Sequence, residues 1–114
     1  MSGDCLFCRI VAGELPATIV HETDRVLAFR DISPQSPVHV VVIPKAHHAD
    51  VSALAAADPG LTGELLVAAA DVARLEHLEH GFRMVLNTGA DGGQTVFHVH
   101  VHLLGGRSFT WPPG

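Results

Sequence analysis

"FHVHVHLLGG", residues 97 to 106, sets His98, His100 and His102 on alternate positions of an otherwise apolar run. Side chains of a strand alternate between faces, so this spacing predicts a strand with three imidazoles on one side and Val99, Val101 and Leu103 on the other. The aliphatic side belongs to a core. The histidine side admits three readings. It can be a polar, solvent-facing surface, although polarity alone does not call for three identical titratable residues in register. It can belong to a metal site, but His98 and His102 would stand roughly 13 Å apart at their Cα atoms. Zinc holds each nitrogen at about 2.0 to 2.1 Å, so all three do not readily share one ion. Third, a neutral imidazole whose other nitrogen is hydrogen-bonded is a good nucleophile toward phosphorus or acyl centres.

The stretch just before it, "ADGGQT" at 90–95, is glycine-rich, and such backbone can turn N–H groups toward phosphate oxygens. Before that, "FRMVLNTG" at 82–89 reads as a strand. Leu61, Leu65, Ala69, Val72, Leu75 and Leu78 recur every three or four positions, which predicts a long helix over 59–80, with Asp58 as N-cap, Pro59 early in the first turn and Gly81 as stop. "HVVVIP" at 39–44 is β-branched and almost wholly apolar, as in a buried central strand. "SPQSP" at 33–37 is a proline-bounded loop. "ATIVHET" and "RVLAFRD" alternate like paired strands about Thr23 and Asp24, and "CLFCRIVAG" at 5–13 is a short helix stopped by Gly13.

The order predicts one α+β domain over residues 1–114: an antiparallel sheet of about five strands with one short and one long helix on one sheet face, and a C-terminal tail from 104. The 114 residues suffice for one core. Hydrophobic content of 47% and charged content of 17% are those of a globular chain. No apolar run reaches the roughly 20 residues that span a bilayer, and "MSGDCLFCRI" lacks the layout of a secretory signal, so no membrane partner and a cytoplasmic location are expected. A net charge of −5 with scattered Lys and Arg argues against nucleic-acid binding. Cys5 and Cys8, three apart, read as half of a metal site or a redox pair in a reducing compartment.

These residues resemble the histidine triad nucleotide-binding proteins, whose signature alternates histidine with apolar residues as "HVHVHLL" does. "DISPQSPVHVVVIPKAH", "NTGADGGQTVFHVHVHLLGGR" and the ending "WPPG" are similar to the Hint branch, the nucleoside phosphoramidases, so the likeness covers nearly the whole chain. His102 is kept, where the related hexose-phosphate uridylyltransferases have glutamine.

The resemblance implies the following roles. His100 attacks the α-phosphorus of an adenosine phosphoramidate, or of an aminoacyl or lysyl adenylate, and carries AMP until water releases it. His102 and the Thr95 hydroxyl hold phosphoryl oxygens, with Asn87, Gly93, Gln94 and Val96 around them; relatives often have serine at the Thr95 position. Asp31 accepts both ribose hydroxyls, its alternative being a loop cap before "SPQ". Leu6, Phe7, Ile10, Phe29 and Ile32 form the purine slot, or else are plain core. His39 stands near the leaving group, where an amine needs a proton.

In the bacterial zinc-containing type, Cys5, Cys8, the histidine of "PKAH" (His47, with His48 adjacent) and His98 bind a structural zinc, the alternative being two ordinary buried thiols. No organic cofactor is implied. The Hint branch forms two-fold dimers with a joined sheet, their tails reaching the partner's site, so Trp111 is expected to influence leaving-group specificity from across the interface, unless it covers its own core. Competing functions are a dinucleoside polyphosphate hydrolase, disfavoured by the tail "GGRSFTWPPG", and a purine-nucleotide-binding interaction module with incidental turnover.

Overall fold

A computed structural model describes residues 4–114. Helix α1 (Leu6–Val11) is followed by strands β1 (Ile19–Glu22), β2 (Val26–Arg30) and β3 (Val38–Pro44). Helices α2 (Val51–Ala57) and α3 (Pro59–Leu75) lead to β4 (Phe82–Val85) and β5 (Val101–Gly105). The strands form one five-stranded sheet in the order β1-β2-β3-β5-β4, antiparallel throughout.

Both faces of the sheet are covered, which corrects the expectation of helices on one face. Val26 and Ala28 of β2, Val40 and Val42 of β3, and Val101 and Leu103 of β5 meet Leu54 of α2 and Leu61, Leu65, Ala69 and Val72 of α3. The alternate residues Leu27, Phe29, Val41 and Ile43 meet Phe7 of α1 on the opposite face. A strand buried on both sides has no polar alternation, which is why β3 is apolar almost from end to end. The histidines lie on the α1 face. Val99, Val101 and Leu103 are buried in the α3 core, as their spacing predicts.

Several element boundaries differ from expectation. A separate α2 precedes the long helix: Asp50 caps it by accepting from the Ala53 N–H at 2.9 Å. Pro59 then forbids helical backbone at Asp58, which sits at φ −151° and ψ 81° and caps α3 by accepting from the Leu61 N–H. Helix α3 ends at Leu75, short of Gly81. His77, at φ +60°, takes the left-handed position; its N–H donates to Arg74 O, and the Leu78 N–H reaches Ala73 O, a Schellman closure made without glycine. Leu78 then packs on the core beside Gly105, where a Cβ would come within 2.6 Å of its Cδ1. Finally, β5 covers only Val101–Gly105 rather than the whole histidine run, and β4 stops at Val85 rather than running on to residue 89. Residues 96–100 are irregular but keep the alternation of faces.

Candidate functional site

On the α1 face the end of β2, the middle of β3, the 87–96 loop, helix α1 and the histidine segment enclose a cavity of about 400 Å³. Leu6, Phe7, Ile10, Phe29 and Ile32 form an apolar wall, and Asn87, Gly93, Thr95, Val96, His100 and His102 line the other side, with Asp31 at the rim. Leu15, Pro16, Ala17, Arg30 and Val41 also line it. Sequence reasoning missed these five. The legible signal was "LPA" directly after the Gly13 helix stop, an apolar group that a turn alone does not require.

Two of the sequence-derived residues do not line the cavity. Gln94 is buried with its side chain turned inward, donating to Ala49 O at 2.8 Å and Val96 O at 3.0 Å and accepting from the Gly89 N–H at 3.0 Å. It braces the loop. The N–H groups of Gly93 and Gln94 are likewise spent on Ala90 O and Gly89 O, so the loop offers the cavity its Thr95 rather than those amides. Gly92 lies too close to Thr88 for any side chain: a Cβ would sit 2.3 Å from Thr88 O. The second residue, His39, is buried behind His102.

The hydrogen bonds fix the tautomers. His100 Nδ1 lies 2.8 Å from His98 O, and a carbonyl only accepts, so Nδ1 carries the proton and Nε2 keeps its lone pair. Burial lowers the His100 pKa against the opposing pull of the His98 carbonyl and the Asp31 charge, which keeps the ring neutral. His39 Nδ1 accepts from the Gln35 N–H at 3.0 Å, so its Nε2–H points to His102 Nδ1, 2.9 Å away, and to Asp31 Oδ2 at 3.4 Å. His102 is thereby left with its proton on Nε2. Burial, with His100 and His39 alongside, pushes its pKa down to about 4. Asp31 also accepts from the Ser33 N–H through Oδ1, so it caps the loop as well as edging the cavity. Because the His39 nitrogens are both committed, the Asp31, His39 and His102 group is a hydrogen-bond relay rather than a cation site.

His98 belongs to a second constellation. Its Nε2–H donates to Pro44 O at 2.8 Å, which aims the Nδ1 lone pair at Cys5 Sγ (3.4 Å), Cys8 Sγ (3.5 Å) and His47 Nδ1 (3.2 Å). Cys8 Sγ is 3.3 Å from His47 Nδ1, and all four donor atoms lie within 4.8 Å of one another. Zinc bonds of about 2.0 to 2.3 Å put tetrahedral ligand atoms about 3.3 to 3.8 Å apart, so this Cys2His2 set fits that ion. Burial and the neighbouring Cys5 push the Cys8 thiol up to about 11, a cost that a bound cation reverses. Nitrogen of His47, not His48, completes the set; the His48 carbonyl instead accepts from the Val99 N–H. Cys5 also caps α1, its Sγ accepting from the Cys8 N–H.

In the tail, two guanidinium groups lie over the Phe109 ring, Arg83 at 5.1 Å and Arg107 at 4.2 Å from its centroid. Trp111 is 83% exposed, so it does not cover its own core. No helix among the described residues is long and apolar enough to cross a membrane.

Comparison with known proteins agrees with this geometry. An uncharacterised HIT-like protein of Synechococcus elongatus is 52% identical over 114 residues, with both chains covered in full. A 14 kDa zinc-binding protein of Brassica juncea is 48% identical, covering 97% of this chain and all of that one. The adenylylsulfatase HINT1 of Arabidopsis thaliana is also 48% identical, across 96% of this chain and 76% of its own. Among solved structures, a HIT family hydrolase from Legionella pneumophila superposes with a TM-score of 0.93 at 50% identity, covering 97% of this chain and 100% of that one. Residues 12–109 match the profile of the HIT domain, and the chain belongs to that family.

Proposed function

We propose that the protein is a hydrolase of adenosine 5′-phosphoramidates, aminoacyl and lysyl adenylates included, working through a nucleotidyl-His100 intermediate. The observation that carries this reading is the tautomer of His100: the His98 carbonyl holds the proton at Nδ1 and leaves Nε2 as an unprotonated nucleophile in a ring that lines the cavity. The apolar wall takes the purine and Asp31 the ribose hydroxyls. Nε2 of His100 forms a bond to the α-phosphorus as the phosphorus–nitrogen bond breaks. The His39–His102 pair takes up one proton as the anionic substrate enters, and His102 Nε2 passes it to the departing amine so that both rings end neutral, with His39 holding the orientation of His102 from behind. Water then attacks the adenylyl-imidazole, returns a proton to His102 and releases AMP. Thr95, on the cavity wall, offers its hydroxyl to the phosphoryl oxygens.

Relatives titled as hydrolases support the reaction class, and the one named an adenylylsulfatase fits the same AMP half with a different leaving group. The zinc-type centre is built from Cys5, Cys8, His47 and His98; when bound, the ion supplies no acid or nucleophile there but crosslinks the fold. A reducing, cytoplasmic setting keeps both thiols available. The exposed Leu66, Val67 and Leu75 on α3, with Phe82 at the start of edge strand β4, support a two-fold dimer that joins the sheets through β4.

Turnover of an adenosine phosphoramidate, an adenylyl sulfate and a dinucleoside polyphosphate, each by the native protein and by His100→Asn, tests this reading. The expected result is a kcat/KM highest for the phosphoramidate, a fall of at least about a thousandfold in the variant, and AMP binding retained. A preference for the dinucleoside would establish the alternative hydrolase. Near-native turnover by the variant would remove His100 as nucleophile. AMP binding without turnover of any substrate would favour a binding module.

A further inference from the structure

Helix α1 supplies Leu6, Phe7 and Ile10 to the cavity, yet of its six residues only Phe7 is buried. The Phe7 ring stands edge-on to His100 with centroids 5.0 Å apart, and to His98 at 6.0 Å. The remaining side-chain ties to the histidine segment come from the cysteines: Cys5 Sγ against His98, and Cys8 Sγ against His98 and His47. The same His98 gives its carbonyl to His100 Nδ1 and its Nε2–H to Pro44 at the end of β3. The wall that meets the purine and the segment that carries the nucleophile are therefore joined at the Cys2His2 centre.

We propose that zinc and nucleotide bind with positive coupling through α1, so that a nucleotide seated on Leu6, Phe7 and Ile10 holds the metal in place and the metal holds the purine wall closed. His98 is then a positioning residue for His100 as well as a ligand. The inference rests on the nucleotide reading of the cavity. Linkage makes the coupling reciprocal: whatever factor AMP adds to zinc affinity, zinc adds to AMP affinity. Without the metal, α1 is held on the sheet by Phe7 and by the partly buried Ile10 and Val11, a small apolar contact for a helix too short to be stable alone.

The test uses the zinc-loaded protein. Calorimetry first establishes AMP binding. Zinc transfer to an excess of a chromophoric chelator is then followed with no nucleotide, with saturating AMP and with saturating ribose 5-phosphate, which lacks the purine. Coupling through α1 predicts that AMP slows transfer about tenfold or more and ribose 5-phosphate does not. It also predicts that Ile10→Ala, which keeps all four ligand residues, loses most of the AMP effect. Hydrogen exchange supplies a second measurement that needs no metal-free protein: AMP should protect the amides of residues 6–12 beyond any general slowing across the chain. AMP binding with zinc transfer unchanged within about twofold, or equal slowing by ribose 5-phosphate, overturns the coupling and leaves the nucleotide reading standing. Absence of AMP binding overturns both.

Discussion

Asp31 has two oxygens with different neighbours. Oδ1 accepts from the Ser33 N–H at 2.8 Å, while Oδ2 lies 3.4 Å from His39 Nε2 at the rim of the cavity. On the proposed reading, a ribose diol would share this carboxylate with a loop cap and a histidine. Asp31→Ala should weaken AMP by about 2 kcal/mol, the scale of hydrogen bonds to a charged group, and weaken a nucleotide lacking both ribose hydroxyls much less. Calorimetry on the two ligands checks this, and equal weakening would count against a ribose contact. Much of this scale was legible beforehand, because alternation fixes which way each residue from 98 to 103 faces. His39 and Gln94 were legible only as members of the neighbourhood. Their side chains turn away from the cavity toward Gln35, His102, Ala49 and Val96, and such tertiary partners leave no periodic trace in a sequence.

Elements show where local signals mislead. The apolar period carries past Leu75 to Leu78, and Gly81 is the obvious stop, yet the chain turns at His77. Leu78 serves the core from a Schellman turn as well as it would from a helix, so its spacing does not distinguish the two. The left-handed backbone at φ +60° costs a non-glycine residue roughly 1 kcal/mol, and the His77 side chain is exposed. His77→Gly should accordingly stabilise the protein by about 0.5 to 1 kcal/mol in urea unfolding, with activity unchanged. A destabilised variant would mean that the His77 contact with Glu79 outweighs the backbone term. The break between α2 and α3 was written more plainly: Asp58-Pro59 carries both a cap and a proline. Likewise, the face on which α1 lies is set by pairing Phe7 with Phe29, at 5.6 Å between ring centroids, a long-range contact that the pattern of α1 alone does not name.

Among the described residues three aromatic side chains are exposed, Phe82, Phe97 and Trp111, and Trp111 is the most exposed of them. Trp111 follows a Phe109 whose ring meets the guanidinium groups of Arg83 and Arg107, and Arg83 also donates to Thr110 O at 2.9 Å, so the tail is anchored up to the tryptophan and then presents it outward. An anchored, exposed tryptophan is well placed to reach a second copy. Heterodimers pairing His100→Asn chains that keep the tail with active chains cut after Arg107 would show whether it does so. Native selectivity among amine leaving groups should return to the truncated active site, whereas the selectivity of the truncated homodimer would mean that the tail acts within its own subunit. Joined across β4, two such subunits would each hold a complete histidine cavity, with only leaving-group choice shared. The chemistry itself must then be visible within one chain. Native protein quenched during turnover of an adenosine phosphoramidate, digested and measured by mass spectrometry, tests that directly. The account predicts the added mass of one adenylyl group on the peptide containing His100, absent from His100→Asn; an adduct on another residue, or steady turnover with no adduct under conditions that preserve phosphohistidine, would contradict it.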